Sequence, residues 1–298
     1  MTTAQPDADP VIDRLIAWAG ERDEIRAMLL MSNRAVPGAT VDALSDYDVI
    51  LVVRNIGPFV ASHGWLNDFG DVLVAYWNPI FTNEDHSYEV SGNVTQYRDG
   101  LKIDFTLWPV ALLTAIVGMP ALPDELDAGY RVLLDRDGLT AGLRPPTHNA
   151  YCPVRPDEVA FRTAVNDFFT DVPYVAKCLL RDDLLPMKWA LDHDMKHVYL
   201  RLMLGWWDGC AEGWLKPVGS LGKGLRRRRP ADIWREVEAS YAGGGLAGNR
   251  EALFSTIANY RRVASEVADQ LGYRYPDALD QDVTEFARRM LAGDVGHS

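Results

Sequence analysis

The chain has 298 residues, of which 48% are hydrophobic and 24% charged, the ordinary balance of a soluble globular protein rather than a disordered or fibrous one. This length allows one large domain or two of medium size, and we expect two. The formal net charge of −12 argues against nucleic acid and anionic membranes as partners and favours a cationic small molecule, although acidity that only aids solubility is an alternative.

The sequence carries no sign of export, membrane insertion or disulfide bonding. No apolar run reaches the roughly 20 residues that span a bilayer, and the N-terminus lacks a basic region followed by an apolar stretch. Cys152, Cys178 and Cys210 lie far apart and lack the spacing of a zinc site. We therefore expect a cytoplasmic protein, a monomer or weak homodimer, with reduced thiols in or near its core.

The first half of the chain mixes helical and strand-like patterns. The predicted helices cover residues 11–22 and 57–69, and the predicted strands cover 25–31, 46–54, 71–77, 89–97, 101–108 and 130–135. Asp99-Gly100 predicts a hairpin, because both residues tolerate positive φ. The second arm of this hairpin alternates, so Asp104 is expected on the face opposite Ile103 and Phe105.

The second half of the chain has a helical period. Predicted helices cover 159–169, 175–185, 191–205, 233–240, 251–271 and 283–291. The segment 144–156 contains four prolines and is the best candidate for a linker. We therefore predict an α+β protein of two domains, residues 1–143 with strands and helices and residues 153–298 with helices alone.

Three aspartates form the most informative pattern. Residues two apart in a strand project from the same face, so Asp46 and Asp48 present two carboxylates side by side. Asp104, inside another apolar strand, would add a third. Carboxylate oxygens are ligands that Mg²⁺ prefers, and paired ions can clamp both reacting oxygens at phosphorus. This pattern favours a metal-dependent site, although a D-x-D pair also occurs by chance.

The sequence contains Ser32-Asn33-Arg34, then a proline-containing loop through Pro37-Gly38, and then Ser45-Asp46-Tyr47-Asp48-Val49. This order resembles the G-S-R…D-Y-D signature of the streptomycin (aminoglycoside 6-) adenylyltransferases, within the polymerase-β-like nucleotidyltransferase superfamily. Further segments follow in family order, at 102–107, 132–137, 175–185, 222–223, 251–254, 271–276 and 283–284, so the resemblance extends from about Asp13 to Met290. It implies a catalytic domain over residues 1–143, with a mixed β-sheet flanked by helices, and a helical substrate-binding bundle over residues 153–298.

The resemblance implies transfer of AMP from ATP to a hydroxyl of an aminoglycoside such as streptomycin, with release of pyrophosphate. It assigns Asp46 and Asp48 to Mg²⁺, and Asp104 to one ion or to the attacking hydroxyl. Arg34, with Ser32 and Asn33, falls near the nucleotide phosphates. In the helical half, Asp183 is the predicted general base and Asp182 the second choice, with an exposed acid pair at a helix end as the alternative.

Further basic residues are candidates for phosphate contacts. Lys177 and Lys223 are predicted to contact the nucleotide, and Arg226–Arg229 extend the basic patch around Lys223. The alternative for each is an ordinary solvated side chain. His193 and His197 have metalloprotease spacing, but the glutamate of that motif is missing. Trp206, Trp207 and Trp214 fit a helical core better than a stacking site.

Two departures from the family pattern leave other functions open. Ser32-Asn33 replaces the Gly-Ser pair, where a glycine lets the backbone approach the triphosphate. Trp206-Trp207 replaces a Trp-His-like pair. The alternatives are therefore a nucleotidyltransferase that acts on another small molecule and a catalytically impaired homologue that binds nucleotide or drug.

Overall fold

The computed structural model of the protein describes residues 9–36, 39, 41–83, 87–228 and 230–293. The chain divides into two compact units, Met1–Ala150 and Tyr151–Ser298, and the division falls inside the proline-rich segment 144–156. Pro37, Gly38 and Arg229, which the sequence analysis singled out, lie outside the described residues. Each unit has its own hydrophobic core.

The first unit is built on a mixed β-sheet. Its strands are β1 (Ile25–Met31), β2 (Tyr47–Val53), β3 (Val72–Trp77), β4 (Phe81–Asn83), β5 (Tyr88–Tyr97), β6 (Lys102–Pro109) and β7 (Tyr130–Asp135). Its helices are α1 (Pro10–Gly20), α2 (Gly57–Ala61), α3 (Val110–Val117) and α4 (Asp124–Asp127). Short 3-10 turns cover Ser32–Arg34 and Gly64–Phe69.

The strand order β3-β5-β6-β2-β1-β7 places β2 in the middle of the sheet, and β4 adds to β5. β2 and β6 are parallel, whereas β1 pairs antiparallel with both β2 and β7. β1 therefore ends at the edge of the sheet where β2 and β6 begin. Side chains from these three strand ends meet at that edge.

Alternation along β2 separates two apolar layers. Tyr47, Val49 and Leu51 face one layer with α1, and Ile50 and Val52 face the other with α3. Both faces of the middle of the strand are buried, which explains its continuous run of β-branched and aliphatic residues. Only the beginning of the strand, at Asp48, opens to solvent on the α3 side.

The mixed sheet and the helical second half confirm the predicted fold class, and several local predictions need correction. Residues 57–69 are not one helix, because Ser62 is extended and separates α2 from the 3-10 turn. β4, α3 and α4 were not predicted. The hairpin at Asp99-Gly100 is confirmed, and Gly100 has a φ of 94°.

The second unit is helical. Its helices are α5 (Glu158–Arg181), α6 (Leu184–Lys188), a π-helix (Trp189–Leu200), α7 (Arg201–Glu212), α8 (Leu225–Arg228), α9 (Ala231–Ala239), α10 (Leu246–Leu271) and α11 (Asp277–Ala292). A 3-10 turn covers Ser220–Gly222. The predicted break near residue 170 is wrong: α5 continues through Pro173, because Phe169, Val172 and Val175 on both sides of it pack into the core.

Other features of this unit agree with the sequence. Trp206 and Trp207 are buried in the core, as their helical spacing indicates. Cys178 is buried, and Cys152 and Cys210 are partly buried. Within the described ranges, no helix combines the length and apolar character needed to cross a bilayer.

Candidate active site

The pairing of β2 with β6 brings two of the predicted acids together. Asp48 lies opposite Asp104 in the parallel register, and residues paired in this way project from the same face of a sheet. Ile103 and Phe105 turn to the α1 layer, which confirms that Asp104 points away from them. Both carboxyl groups are partly buried where the sheet meets solvent.

Asp46 joins this pair through a shared lysine. The ammonium of Lys102 donates to Asp46 Oδ2 at 2.6 Å and to Asp104 Oδ2 at 2.7 Å. Lys102 is the first residue of β6, so it shares the face of Asp104 two residues later. Asp46, Asp48 and Asp104 with Lys102 are called the carboxylate cluster below.

Burial and neighbouring charges act in opposite directions on this cluster. Burial raises the pKa of Asp48, while a hydrogen bond from Ser32 and the charge of Lys102 work against that rise. Burial also raises the pKa of Asp104, again opposed by Lys102. Burial lowers the pKa of Lys102, but its bonds to Asp104 and Asp46 outweigh this, so its pKa lies above the ordinary value.

The carboxylate cluster has three acids and a single lysine, so one ammonium does not satisfy all of its oxygens. Asp104 Oδ1 is buried and finds no hydrogen-bond partner among the described residues. An unpaired buried carboxylate oxygen is costly, and a hydrogen-bond donor or a cation would satisfy it. In the part of the chain that the structure describes, no three His, Cys, Asp or Glu side chains form a ready-made metal cluster. Here the ammonium of Lys102 lies between two of the acids.

The Ser32–Arg34 turn follows β1 and lies beside Asp48, since Met31 pairs with Asp48. Ser32 has a φ of 58°, in the left-handed region that favours glycine. The sequence resemblance aligns this position with the glycine of the family signature, and glycine adopts this conformation without steric cost. The serine hydroxyl adds a hydrogen bond to Asp48 that glycine does not have. Asn33 is exposed.

The Arg34 side chain is mostly buried and contacts the backbone next to the acids. Its guanidinium donates to the carbonyl oxygens of Ser45 at 2.8 Å and Asp46 at 3.1 Å. It also pairs with Asp9 at 3.3 Å and lies 3.7 Å from the centroid of the Tyr47 ring. These contacts fix the backbone that carries Asp46, so Arg34 has a positioning role in this structure. A phosphate contact for it stays a prediction.

The sheet face beside the carboxylate cluster is open toward β5 and β3. In the register, Asp104 lies opposite Val94, and Val94 lies opposite Tyr76. Val94 is 40% exposed and Tyr76 is 63% exposed. A row of side chains therefore runs from the acids across an apolar surface that a small molecule could cover.

The predicted residues of the helical unit are described within that unit alone. Asp182 ends α5 with a φ of 57°, and its N–H bonds the carbonyl of Cys178. Asp183 is the residue before α6. Both aspartates and Lys177 are exposed. A role for them as base or phosphate ligand stays a prediction.

Part of the predicted basic patch is used inside the helical unit. Arg228 pairs with the fully buried Asp208 at 3.0 Å and donates to the carbonyl of Pro217. Arg226 pairs with Glu238. Lys223 is exposed beside them. Each of these two arginines therefore forms an ion pair with an acid of its own unit. Lys223 remains the candidate for a phosphate contact.

Sequence reasoning missed the residues that organise the predicted acids. Lys102 lies two residues before Asp104 in the alternating strand, on the same face, but the pattern alone assigns it no role. Asp9 caps α1 and also accepts a hydrogen bond from the Tyr47 hydroxyl at 2.9 Å. Burial and this bond raise the pKa of Tyr47 to about 12. The lysine could have been found from its spacing of two, but Asp9 could not.

A mixed sheet that presents paired carboxylates at its edge, continued by a helical unit, is the organisation of a nucleotidyltransferase. Comparison with known families agrees with this class, because the family described as Streptomycin adenylyltransferase matches residues 7–290. The chain therefore belongs to the streptomycin adenylyltransferase family, which confirms the resemblance seen in the sequence. It is a nucleotidyltransferase enzyme.

Similar proteins cover nearly the whole chain. An aminoglycoside 6-adenylyltransferase of Campylobacter jejuni is 26% identical over 284 residues, with 94% of each chain covered. One of Bacillus subtilis (strain 168) is 25% identical over 286 residues, covering 93% of this chain and 95% of the relative. The crystal structure of an aminoglycoside 6-adenyltransferase from Bacillus subtilis matches at 22% identity with a TM-score of 0.44, covering 94% of this chain and 97% of that chain.

Proposed function

We propose that the protein transfers AMP from ATP to a hydroxyl of an aminoglycoside, streptomycin first among them, and releases pyrophosphate. The observation that carries this proposal is the parallel pairing that sets Asp48 opposite Asp104, with Asp46 joined to them by Lys102. Membership of the streptomycin adenylyltransferase family supports the reaction class. The aminoglycoside named in the relatives supports the acceptor.

The carboxylate cluster fits Mg²⁺ by its chemistry. Asp46, Asp48 and Asp104 are the residues that would hold the ion, because they offer hard oxygen donors. One buried oxygen of Asp104 also has no hydrogen-bond partner within the described part of the chain. When bound, Mg²⁺ would neutralise charge on the phosphates. The acidic protein surface, with a net charge of −12, also suits a polycationic acceptor.

The reaction joins the acceptor oxygen to the α-phosphorus of ATP and breaks the bond from that phosphorus to the bridging oxygen of pyrophosphate. The proton of the acceptor hydroxyl goes to a carboxylate. Asp183 is the proposed base, with Asp182 second, and Asp104 lies within the carboxylate cluster as a partner for the hydroxyl. Aligning the two reactants lowers the activation barrier by several kcal/mol, on the order of the gain seen in positioned intramolecular reactions.

The residues around the carboxylate cluster have distinct roles in this proposal. Ser32 and Asn33 present the turn to the phosphates, and Arg34 holds the backbone of Asp46. Lys177 and Lys223 are the proposed phosphate ligands of the helical unit. The left-handed Ser32 keeps the turn conformation that glycine favours, which supports an active enzyme over a binding-only homologue.

The test is pyrophosphate release by the full chain with Mg²⁺, each of the four ribonucleoside triphosphates, and a panel of aminoglycosides. We expect release with ATP and streptomycin, and a streptomycin-resistant host as the consequence. Release with a different acceptor would redirect the substrate while keeping the chemistry. ATP binding in calorimetry without turnover on any acceptor would contradict the proposal and support a binding protein.

A further inference from the structure

The ammonium of Lys102 lies where the carboxylate cluster offers its best cation position, at 2.6 Å and 2.7 Å from oxygens of Asp46 and Asp104. We infer that Lys102 is the resident counter-ion of the carboxylate cluster and that a divalent metal ion binds by displacing its ammonium. This inference rests on the proposed function for the identity of the metal-binding acids.

Displacement follows from the choice of oxygens. Lys102 uses Oδ2 of Asp46 and Oδ2 of Asp104, and the same carboxylates are the ones a divalent cation would need. An ammonium and a divalent cation on the same carboxylates would lie a few ångströms apart and would repel each other in a partly buried site. Departure of the ammonium, the weaker of the two charges, relieves this repulsion and frees Oδ2 of both aspartates for the metal ion.

The partial exposure of Lys102 allows its ammonium to move into solvent. Lys102 is the first residue of β6, and its side chain is 26% exposed. A lysine has a flexible four-carbon stem, so its charge can swing into solvent while the backbone stays paired with β5. Asp104 Oδ1, without a partner among the described residues, is the oxygen that gains most from an incoming ion.

A binding order follows. A free metal ion competes with an ammonium that is tethered beside the acids, so it binds weakly by itself. A metal that arrives with a nucleoside triphosphate brings phosphate oxygens, and the displaced ammonium can pair with one of them. Metal and nucleotide therefore bind cooperatively, and Lys102 makes the carboxylate cluster favour the metal–nucleotide complex over the free ion.

The experiment measures Mn²⁺ binding to the full chain without nucleotide, by the loss of the free-ion electron paramagnetic resonance signal. Lys102→Met keeps the length of the side chain and removes its charge, so we expect Mn²⁺ to bind at least about tenfold more tightly. Lys102→Arg keeps the charge and should stay weak. Lys216→Met is the matched control, because it removes a lysine from an ion pair of the other unit, with Glu212 at 2.5 Å.

A second readout separates this role from plain stabilisation. In metal-free buffer Lys102→Met should melt below the wild type, and Mn²⁺ should raise its Tm more than that of the wild type. Adding Asp104→Asn to Lys102→Met should remove the gain in Mn²⁺ affinity, since the ion sits on that carboxylate.

Equal or weaker Mn²⁺ binding by Lys102→Met would overturn the counter-ion role. If the wild type binds Mn²⁺ with ATP and this variant shows no gain, the counter-ion role alone fails. If no variant binds Mn²⁺ even with ATP, the proposed metal site fails together with it.

Discussion

Two ion networks in this protein have opposite compositions, one lysine among acids in the first unit and one acid between two lysines in the second. We infer that the first serves the reaction and the second stabilises the fold. In the first unit one lysine, Lys102, pairs with two aspartates, and a buried oxygen of Asp104 has no partner among the residues that the structure describes. In the second unit one aspartate, Asp192, lies between Lys196 at 2.5 Å and Lys188 at 2.9 Å.

The second network is closed. Lys188 also donates to the carbonyl oxygen of Ala242 and to Asn249, and the Lys196 ammonium lies 4.5 Å from the centroid of the Tyr241 ring. The Lys196 side chain is 1% exposed. Asp192 and Lys188 are as exposed as Asp104 and Lys102, at 24–26%, so the two networks differ in pairing more than in exposure. A network around a buried lysine whose charges are paired fixes the fold around it, whereas one that leaves a buried carboxylate oxygen unpaired among the described residues can bind another ligand. The comparison predicts chemistry in the first unit and stability in the second.

The largest expected effect is on turnover. Asp48→Asn removes a charge from the carboxylate cluster while keeping the shape of the side chain, so we expect adenylyl transfer to fall about 10³-fold or more. Asp71→Asn is the control, because Asp71 is also in the first unit and is 82% exposed. Steady-state pyrophosphate release measures both variants. Full activity in Asp48→Asn would remove the basis for treating the first network as catalytic.

The next effect is on stability and comes from deleting the central ion of each network. Asp192→Asn leaves two lysines, one of them buried, without their carboxylate, and we expect a loss of about 3–5 kcal/mol in the free energy of unfolding. Lys102→Met acts on a partly exposed network, where the loss should be about 1 kcal/mol or less. Urea unfolding followed by circular dichroism compares them. Similar losses in both variants would erase the distinction drawn here.

A smaller effect sharpens the account of the turn beside Asp48. Ser32→Ala and Ser32→Gly both remove the hydroxyl, but only glycine removes the steric cost of a φ of 58°. We expect Ser32→Gly to be more stable than Ser32→Ala by about 1 kcal/mol. The comparison uses urea midpoints of the two purified variants. If alanine proved as stable as glycine, the left-handed conformation at residue 32 would be in error.

The smallest effect concerns a carboxylate of the second unit that lies outside its closed network. Burial and the charges of Asp194 and Asp167 raise the pKa of Asp171 to about 6. The folded state therefore favours the protonated acid, and the stability this contributes is full below the unfolded pKa of about 3.9 and is lost as the pH rises through 6. Asp171→Asn should raise the urea midpoint at pH 8 and hardly change it near pH 4. An equal gain at both values would show that the charge of Asp171 is not the cause.

Local spacing predicted much of this site, and long-range pairing supplied the rest. The period-two pattern placed Asp46 and Asp48 at the entrance of a buried strand and turned Asp104 away from Ile103 and Phe105. Strand order is not written in either segment, so the sequence by itself could not show that β2 and β6 are neighbours with Asp48 opposite Asp104. The role of Lys102 could not be predicted in the same way, because it depends on a contact with Asp46, which is 56 positions away in the chain.

The helical half shows the opposite balance. Periodicity located most of its helices, yet it predicted a break near Pro173 that the packing of α5 overrides. It also gave no sign that residues 189–200 form a π-helix that carries Asp192 and Lys196. Such closed networks arise from tertiary packing, which a local pattern does not encode.

The most direct test of the proposed reaction is the mass of the product. The full chain is incubated with ATP, Mg²⁺ and streptomycin. The mass of the antibiotic is then measured by mass spectrometry, and the pyrophosphate, phosphate and ADP formed are quantified. We predict streptomycin that carries one adenylyl group, with pyrophosphate formed in equal amount. Phosphorylated antibiotic with ADP, or unmodified antibiotic with hydrolysed ATP, would contradict adenylyl transfer at the carboxylate cluster.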